Sequence, residues 1–117
     1  KADIKKAINN FATSNFSSLR SVHEMSETSY KSVEIVNGEL KPLKKLNLTL
    51  EDINKARQTF PKTFFPNGVI DIYKKNVVLK KKQLLGKKVQ AFITTYSHEI
   101  DNVEDFKYIE YLWKIKK

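Results

Sequence analysis

The sequence contains no cysteine, which excludes a disulfide framework, a thiolate zinc site and a cysteine nucleophile. Two histidines, His23 and His98, are too few for most transition-metal sites built from protein ligands alone. Nowhere do about 18 apolar residues follow one another, so no membrane-spanning helix is expected. The three glycines, Gly38, Gly68 and Gly86, form no phosphate-cradling loop, Walker motif or dinucleotide fingerprint. No Gly-x-Ser-x-Gly elbow is present, and two scattered histidines support no serine triad. Arginine is scarce: Arg20 and Arg57 are the only two, which leaves little for bidentate readout of bases or phosphates. The chain starts at Lys1 without methionine or a signal-peptide pattern, and further chain upstream is expected.

What is present suits one packed domain: 117 residues, 40% hydrophobic and 30% charged. The net charge of +9 is unevenly placed. Residues 74–88 carry seven lysines and no acid, whereas residues 89–117 are slightly acidic. A basic block attracts polyanions. With no arginine and no interleaved aromatics, this one reads as a solvated lysine-rich helix or loop.

Local patterns give an order of elements. Asp3 can cap a helix over 3–12, with Ile4, Ala7, Ile8 and Phe11 at i, i+3, i+4 and i+7. Leu19–Glu24 reads as a short strand. Lys31–Val36 and Glu39–Leu43 flank Asn37-Gly38, which suits a type I′ turn and so predicts a β-hairpin. Residues 44–67 read as irregular, with at most a turn or two of helix near Leu50–Lys55. Pro61 and Pro66 argue against a helix or central strand over Arg57–Asn67. Gly68–Tyr73 and Val89–Tyr96 read as strands apolar enough to be buried, and Val77–Leu85 as a short helix or extended segment ending at Gly86. A last helix is expected over 103–116, with Phe106, Ile109, Leu112 and Trp113 as its apolar stripe. Alternating helices and strands favour an α/β layered domain. The strands are few, so the set looks like part of a larger sheet.

Two constellations could carry chemistry. Glu99 and Asp101 follow a strand at i and i+2, so in extended chain they share a side and offer two hard oxygen donors suited to Mg²⁺. Asp101-x-x-Glu104 equally fits a capping box for the last helix. His98 beside Glu99 reads more simply as a surface or packed histidine than as an acid–base partner. The second constellation runs from Arg57 to Gly68 and brings a guanidinium, amides, a lysine and two prolines into an irregular stretch ahead of a strand. Such a stretch serves equally as a functional loop or a plain surface turn.

The pattern Arg57-Gln58-x-x-Pro61-x-x-Phe64-x-x-Asn67-Gly68-x-Ile70-x-Ile72 resembles a segment of the acylneuraminate cytidylyltransferases, the CMP-sialic acid synthetase family. Leu19-Arg20-Ser21-Val22, Tyr30-Lys31 with Asn37-Gly38-Glu39-Leu40, Leu84-Leu85-Gly86-Lys87-Lys88 and Glu99-Ile100-Asp101 with Glu104-Asp105-Phe106 resemble its other signatures, in the same order. The resemblance implies a Rossmann-like α/β nucleotidyltransferase fold, of which residues 1–117 form the C-terminal portion and about 30–66 a protruding dimerisation arm. The CTP-binding N-terminal half is then outside this chain. It implies transfer of CMP from CTP to a nonulosonic, sialic-acid-like sugar acid, with release of pyrophosphate and help from Mg²⁺. The partners implied are CTP, the sugar acid and a second copy of the chain, in the cytoplasm, with neither nucleic acid nor membrane.

Residue by residue, Lys31, Arg57, Gln58 and Asn67 match sugar-side positions, and Asp101 matches the second metal-site aspartate. Glu99 stands where the first is normally aspartate, so its direct contact with metal is in doubt. Asp71 stands where many members have tyrosine, which leaves the identity of the acceptor sugar open. The resemblance assigns no catalytic residue to this part, and the 117 residues alone are expected to be inactive. Other readings stay open: a non-enzymatic α/β module binding polyanions through the lysine block, a keto-deoxyoctulosonate cytidylyltransferase relative, or a degenerate homologue kept for dimerisation.

Overall fold

The computed structural model describes residues 2–115. They form a mixed α/β structure with a three-stranded sheet and a separate two-stranded hairpin. The chain divides into two compact units, Glu24–Phe65 and the segments on either side of it.

In the larger unit, α1 (Ala2–Ala12) turns Ala7 and Phe11 inward, with Asp3 in its first turn, where a carboxylate complements the helix dipole. Ala7 and Phe11 meet Leu19, Ile70 and Phe92, with Ile72 packed alongside, to make the core cluster. The expected stripe is only half covered, since Ile4 and Ile8 each remain 51% exposed. β1 (Ser18–Glu24) is the central strand. It pairs in parallel with β5 (Val89–Ile93), from Ser18 opposite Val89 to Val22 opposite Ile93. On its other side lies β4 (Phe64–Tyr73). The Lys74 N–H bonds the Ser17 carbonyl while Arg20 meets Asp71, a falling register that makes β4 antiparallel to β1.

β4 begins four residues before the expected Gly68, and Pro66 lies inside it. The exclusion of a central strand holds, since β4 is an edge strand among the described residues; only the strand's start moves, because at an edge a residue without an N–H leaves no ladder bond unmade. Nor are β4 and β5 buried on both faces: Val69 is 54% and Ile93 63% exposed. Each is an outer strand, and the described chain supplies the helix α1 to one face only.

α3 (Lys75–Lys81) starts two residues before the expected helix and stops at Lys82, whose φ of 50° breaks it. Both ends of the lysine block are tied to one residue. The Ser17 carbonyl accepts from Lys74 N–H at 3.3 Å, and Ser17 N–H donates to the Lys88 carbonyl at 2.7 Å. Gly86 closes against this anchor, with φ +74° and no room for a side chain: an added Cβ would lie 2.6 Å from Ser17 Cβ. All the lysines of the block except Lys74 are exposed, and among the described residues none forms an ion pair.

α4 (Val103–Ile115) matches the expected span as far as the described residues reach, its last position, 116, lying outside them, but none of its residues is buried. Phe106 of the predicted stripe is 55% exposed. The helix begins one residue later than the Asp101-x-x-Glu104 box required. Asn102 Oδ1 accepts from Asp105 N–H at 2.9 Å, and an Asp105 carboxylate oxygen accepts from Asn102 N–H at 3.2 Å.

In the smaller unit, β2 (Val33–Val36) and β3 (Glu39–Pro42) form the expected antiparallel hairpin. Asn37 and Gly38 adopt φ of 53° and 82°, as a type I′ turn requires. The hairpin starts at Val33 rather than Lys31 because Ser29–Lys31 is a 3-10 turn, capped by Thr28. The irregular stretch holds α2 (Leu50–Ile53), started by a complete capping box between Thr49 and Asp52.

Candidate functional site

The sequence-derived residues fall into two groups. In the smaller unit, Arg57 sits on a 3-10 turn (Arg57–Thr59) that puts its side chain on two adjoining clefts. One, of about 410 Å³, is lined by Thr28, Gln58, Phe60, Pro61 and Lys62 besides Arg57. The other, of about 540 Å³, has Lys31 and Ser32 on its wall, together with the acidic Glu27. Lys31 and Arg57, 26 positions apart in sequence, thus share one cleft, and Gln58 joins Arg57 on the other.

Both cations are held by backbone oxygen and, among the described residues, by no carboxylate. Arg57 donates from one terminal nitrogen to the Met25 carbonyl at 3.1 Å, and Lys31 Nζ to the Lys55 carbonyl at 2.8 Å. A guanidinium anchored through one nitrogen keeps the rest of its planar donor fork for a ligand, the geometry that suits a carboxylate. The walls are braced by Lys62 on Glu24 at 2.9 Å and by the stacked rings of Tyr30 and Phe60.

Asn67 is in the other unit and is 5% exposed. Its Oδ1 accepts from Ser21 Oγ at 2.7 Å, and its Nδ2 donates to Thr94 Oγ1 at 2.8 Å. The same Ser21 hydroxyl accepts from the Ile70 N–H at 2.8 Å. One amide therefore ties β4 to β1 and reaches the residue that follows β5. Its donors and acceptors are engaged within the protein, so its place in this structure is to hold the strands together.

Beside it, Arg20 closes a two-pronged pair on Asp71, Nε at 3.1 Å and the terminal nitrogen at 2.8 Å, and Tyr73 donates to the same carboxylate at 2.9 Å. The hydrogen bond from Arg20, helped by that from Tyr73, holds the Asp71 carboxyl below its ordinary range, and Asp71 in turn raises the Arg20 guanidinium. Asp71, the departure from the family's tyrosine, thus has a partner on the neighbouring strand. Sequence reasoning missed Arg20, Ser21 and Thr94, since nothing local marks residues whose partners lie 27 to 51 positions away.

Glu99 and Asp101 lie between β5 and α4, where the chain runs from 94 to 101 without turn or bend. Both are exposed, and neither carboxylate has a hydrogen-bond or ion-pair partner among the described residues. The Asp101 N–H bonds Asp105, so the capping carboxylate is Asp105 and that of Asp101 stays available. Among the described residues no group of three or more His, Asp or Glu side chains gathers to enclose a metal. Two hard carboxylates do fit Mg²⁺, which takes one or two from protein and its remaining oxygens from water and phosphate.

No family model matches the chain. It is 30% identical over 118 residues to a post-translational flagellin modification protein B of Campylobacter coli, covering 98% of this chain and 48% of that protein. It is 33% identical over 86 residues to a CMP-N,N'-diacetyllegionaminic acid synthase of Campylobacter jejuni, covering 72% of this chain and 34% of that protein. The chain thus spans about half the length of the first relative and about a third of the second. These similarities support a CMP-sialic-acid-synthetase-like family for the chain.

Proposed function

We propose that this chain is the sugar-side and metal-side portion of a cytidylyltransferase that moves CMP from CTP to a nonulosonic sugar acid and releases pyrophosphate. The observation that carries the reading is the match, over 72% of the chain, to a protein named as a CMP-sugar-acid synthase. The geometry supports it at two places. Arg57 and Lys31 line one cleft, which Glu27 shares, and among the described residues neither cation pairs with a carboxylate, so both can meet the carboxylate of a sugar acid. Gln58 offers its amide to the adjoining cleft, where it can bond sugar hydroxyls. Asn67, matched by the family pattern to a sugar-side position, acts instead from behind the surface by fixing β4 against β1.

Glu99 and Asp101 would hold the Mg²⁺. When bound, that ion neutralises triphosphate charge as the pyrophosphate leaves. The protein's own part is to bind and align the sugar hydroxyl with the α-phosphorus, chemistry that asks for positioning and charge rather than a protein nucleophile. In this reading the fold is completed as a Rossmann-like domain by a CTP-binding half outside these residues. The span 30–66, which lies almost wholly in the smaller unit, serves as a dimerisation arm, and the protein works in the cytoplasm without nucleic acid or membrane.

The test is pyrophosphate release from CTP and Mg²⁺ by the polypeptide of the whole reading frame, offered a panel of nonulosonic acids and keto-deoxyoctulosonate. Turnover with a nonulosonic acid, lost in Arg57→Ala, is the expected result, and turnover only with keto-deoxyoctulosonate would move the protein to that branch. The 117 residues alone should give none, and robust turnover by them would refute the division into halves. One observation favours a second reading: the lysines of 75–88 are exposed and unpaired on a loop tied at both ends to Ser17. A polyanion-binding module would be retained on heparin with steep salt dependence and would show no CTP-dependent chemistry.

A further inference from the structure

A row of four rings crosses the larger unit. His23 of β1 meets Tyr96 with centroids 4.7 Å apart, Tyr96 meets His98 at 4.7 Å, and His98 meets Tyr108 of α4 at 5.3 Å. All three contacts are edge-to-face, with interplanar angles of 61°, 80° and 71°, the arrangement that aromatic quadrupoles favour. The row is anchored at its inner end, because His23 is 8% exposed and its Nδ1 lies 3.4 Å from the amide nitrogen of Asn67. At its outer end it grips a helix that buries no residue.

Two rings of the row, Tyr96 and His98, belong to the segment bearing the two unpaired carboxylates, and His98 is the nearer, one residue before Glu99 and three before Asp101. On the far side of that segment, Asp105 accepts from the N–H groups of both Asp101 and Asn102. The carboxylates therefore sit on a short strap fastened at one end by rings and at the other by the helix cap. Just before His98, the Ser97 hydroxyl is buried without a partner among the described residues, so the strap has not used all its polar groups within the protein.

We infer that His98 is a positioning residue, whose ring, held between Tyr96 and Tyr108, fixes the strap so that Glu99 and Asp101 meet a divalent cation as a preorganised pair. This rests on the reading of Glu99 and Asp101 as metal ligands. A strap free to move would have to be ordered by the ion itself, and that ordering lowers affinity. The inference concerns the flat ring and not its proton, so phenylalanine should replace histidine there.

Mn²⁺ is the probe, titrated into the full-length protein without substrate and read from the electron paramagnetic resonance of the free ion. Asp101→Asn should abolish binding. His98→Ala and Tyr108→Leu should each weaken it by about tenfold, the usual loss when groups that orient metal ligands are removed. His98→Phe should stay within about twofold of wild type. Unchanged Mn²⁺ affinity in His98→Ala overturns the inference while leaving the carboxylate site intact. If His98→Ala does not fold, unchanged affinity in Tyr108→Leu overturns it equally. Absence of any Mn²⁺ binding that Asp101→Asn removes refutes the carboxylate site itself, and the role of His98 with it.

Discussion

The two units hold their shape by different means. The larger one has a core: Ala7, Phe11, Leu19, Ile70 and Phe92 close on one another beneath α1, and the buried amide of Asn67 links the strands nearby. In Glu24–Phe65 the buried residues are Ile53 and Thr28. Its order comes from a type I′ turn, the Thr49–Asp52 box, 3-10 turns and side chains bonded to backbone carbonyls. Packing specifies the first unit, and mainly turns, caps and polar bonds specify the second. The difference bears on function, because a cleft made by short caps and long cations can adjust to a ligand more readily than a packed sheet can.

Substitutions can break that contrast in graded steps. Leu19→Ala should have the largest effect, since a fully buried leucine leaves a cavity: about 3–4 kcal/mol in urea unfolding of the larger unit. Asn67→Ala comes next, at about 2 kcal/mol, because it leaves Ser21 and Thr94 without their amide partner in a buried place. Thr49→Ala should cost about 1 kcal/mol through the lost cap, visible as faster amide exchange over Leu50–Ile53 and nowhere in the larger unit.

The smallest step is Asp71→Asn, below about 1 kcal/mol, because Arg20 stays 33% exposed and water screens the pair. Arg20 holds the folded-state carboxyl below its unfolded value, so this stabilisation is complete above about pH 4 and is lost as pH falls through the folded value. Acid unfolding of the larger unit should therefore steepen at the low end in wild type and flatten in Asp71→Asn. Identical acid profiles would show that the pair adds nothing measurable.

Features with a local cause were legible in the sequence. Asn37-Gly38 announced its turn because few other dipeptides accept two positive φ values. The helices α1 and α4 announced themselves by period. Period reveals which side of a helix is apolar, not whether this chain supplies something to cover it, which is why Ile8 and Phe106 are exposed. Pro66 correctly excludes a central strand but leaves an edge strand open, and which of the two a strand is depends on partners far away in sequence. The box at α4 slipped by one residue because Asp101/Glu104 and Asn102/Asp105 both satisfy the pattern, and only the backbone bonds decide. Of the site, the two cations that share a cleft could be named from the family pattern. The pairing of Arg20 with Asp71 could not, since it joins residues 51 positions apart.

The chain carries its Asn-Gly dipeptide twice, and the structure gives the two copies different futures. Asn37-Gly38 is exposed at the tip of a hairpin, with no bond holding its side-chain amide among the described residues. Asn67 is buried although Gly68 is exposed, and its amide is gripped by Ser21 and Thr94. Deamidation requires the following backbone nitrogen to swing onto the side-chain carbonyl through a cyclic imide. As the protein ages, the first site should gather aspartate and isoaspartate while the second keeps its nitrogen. Chemical wear would thus fall on the outermost turn and spare the residue that ties the strands together.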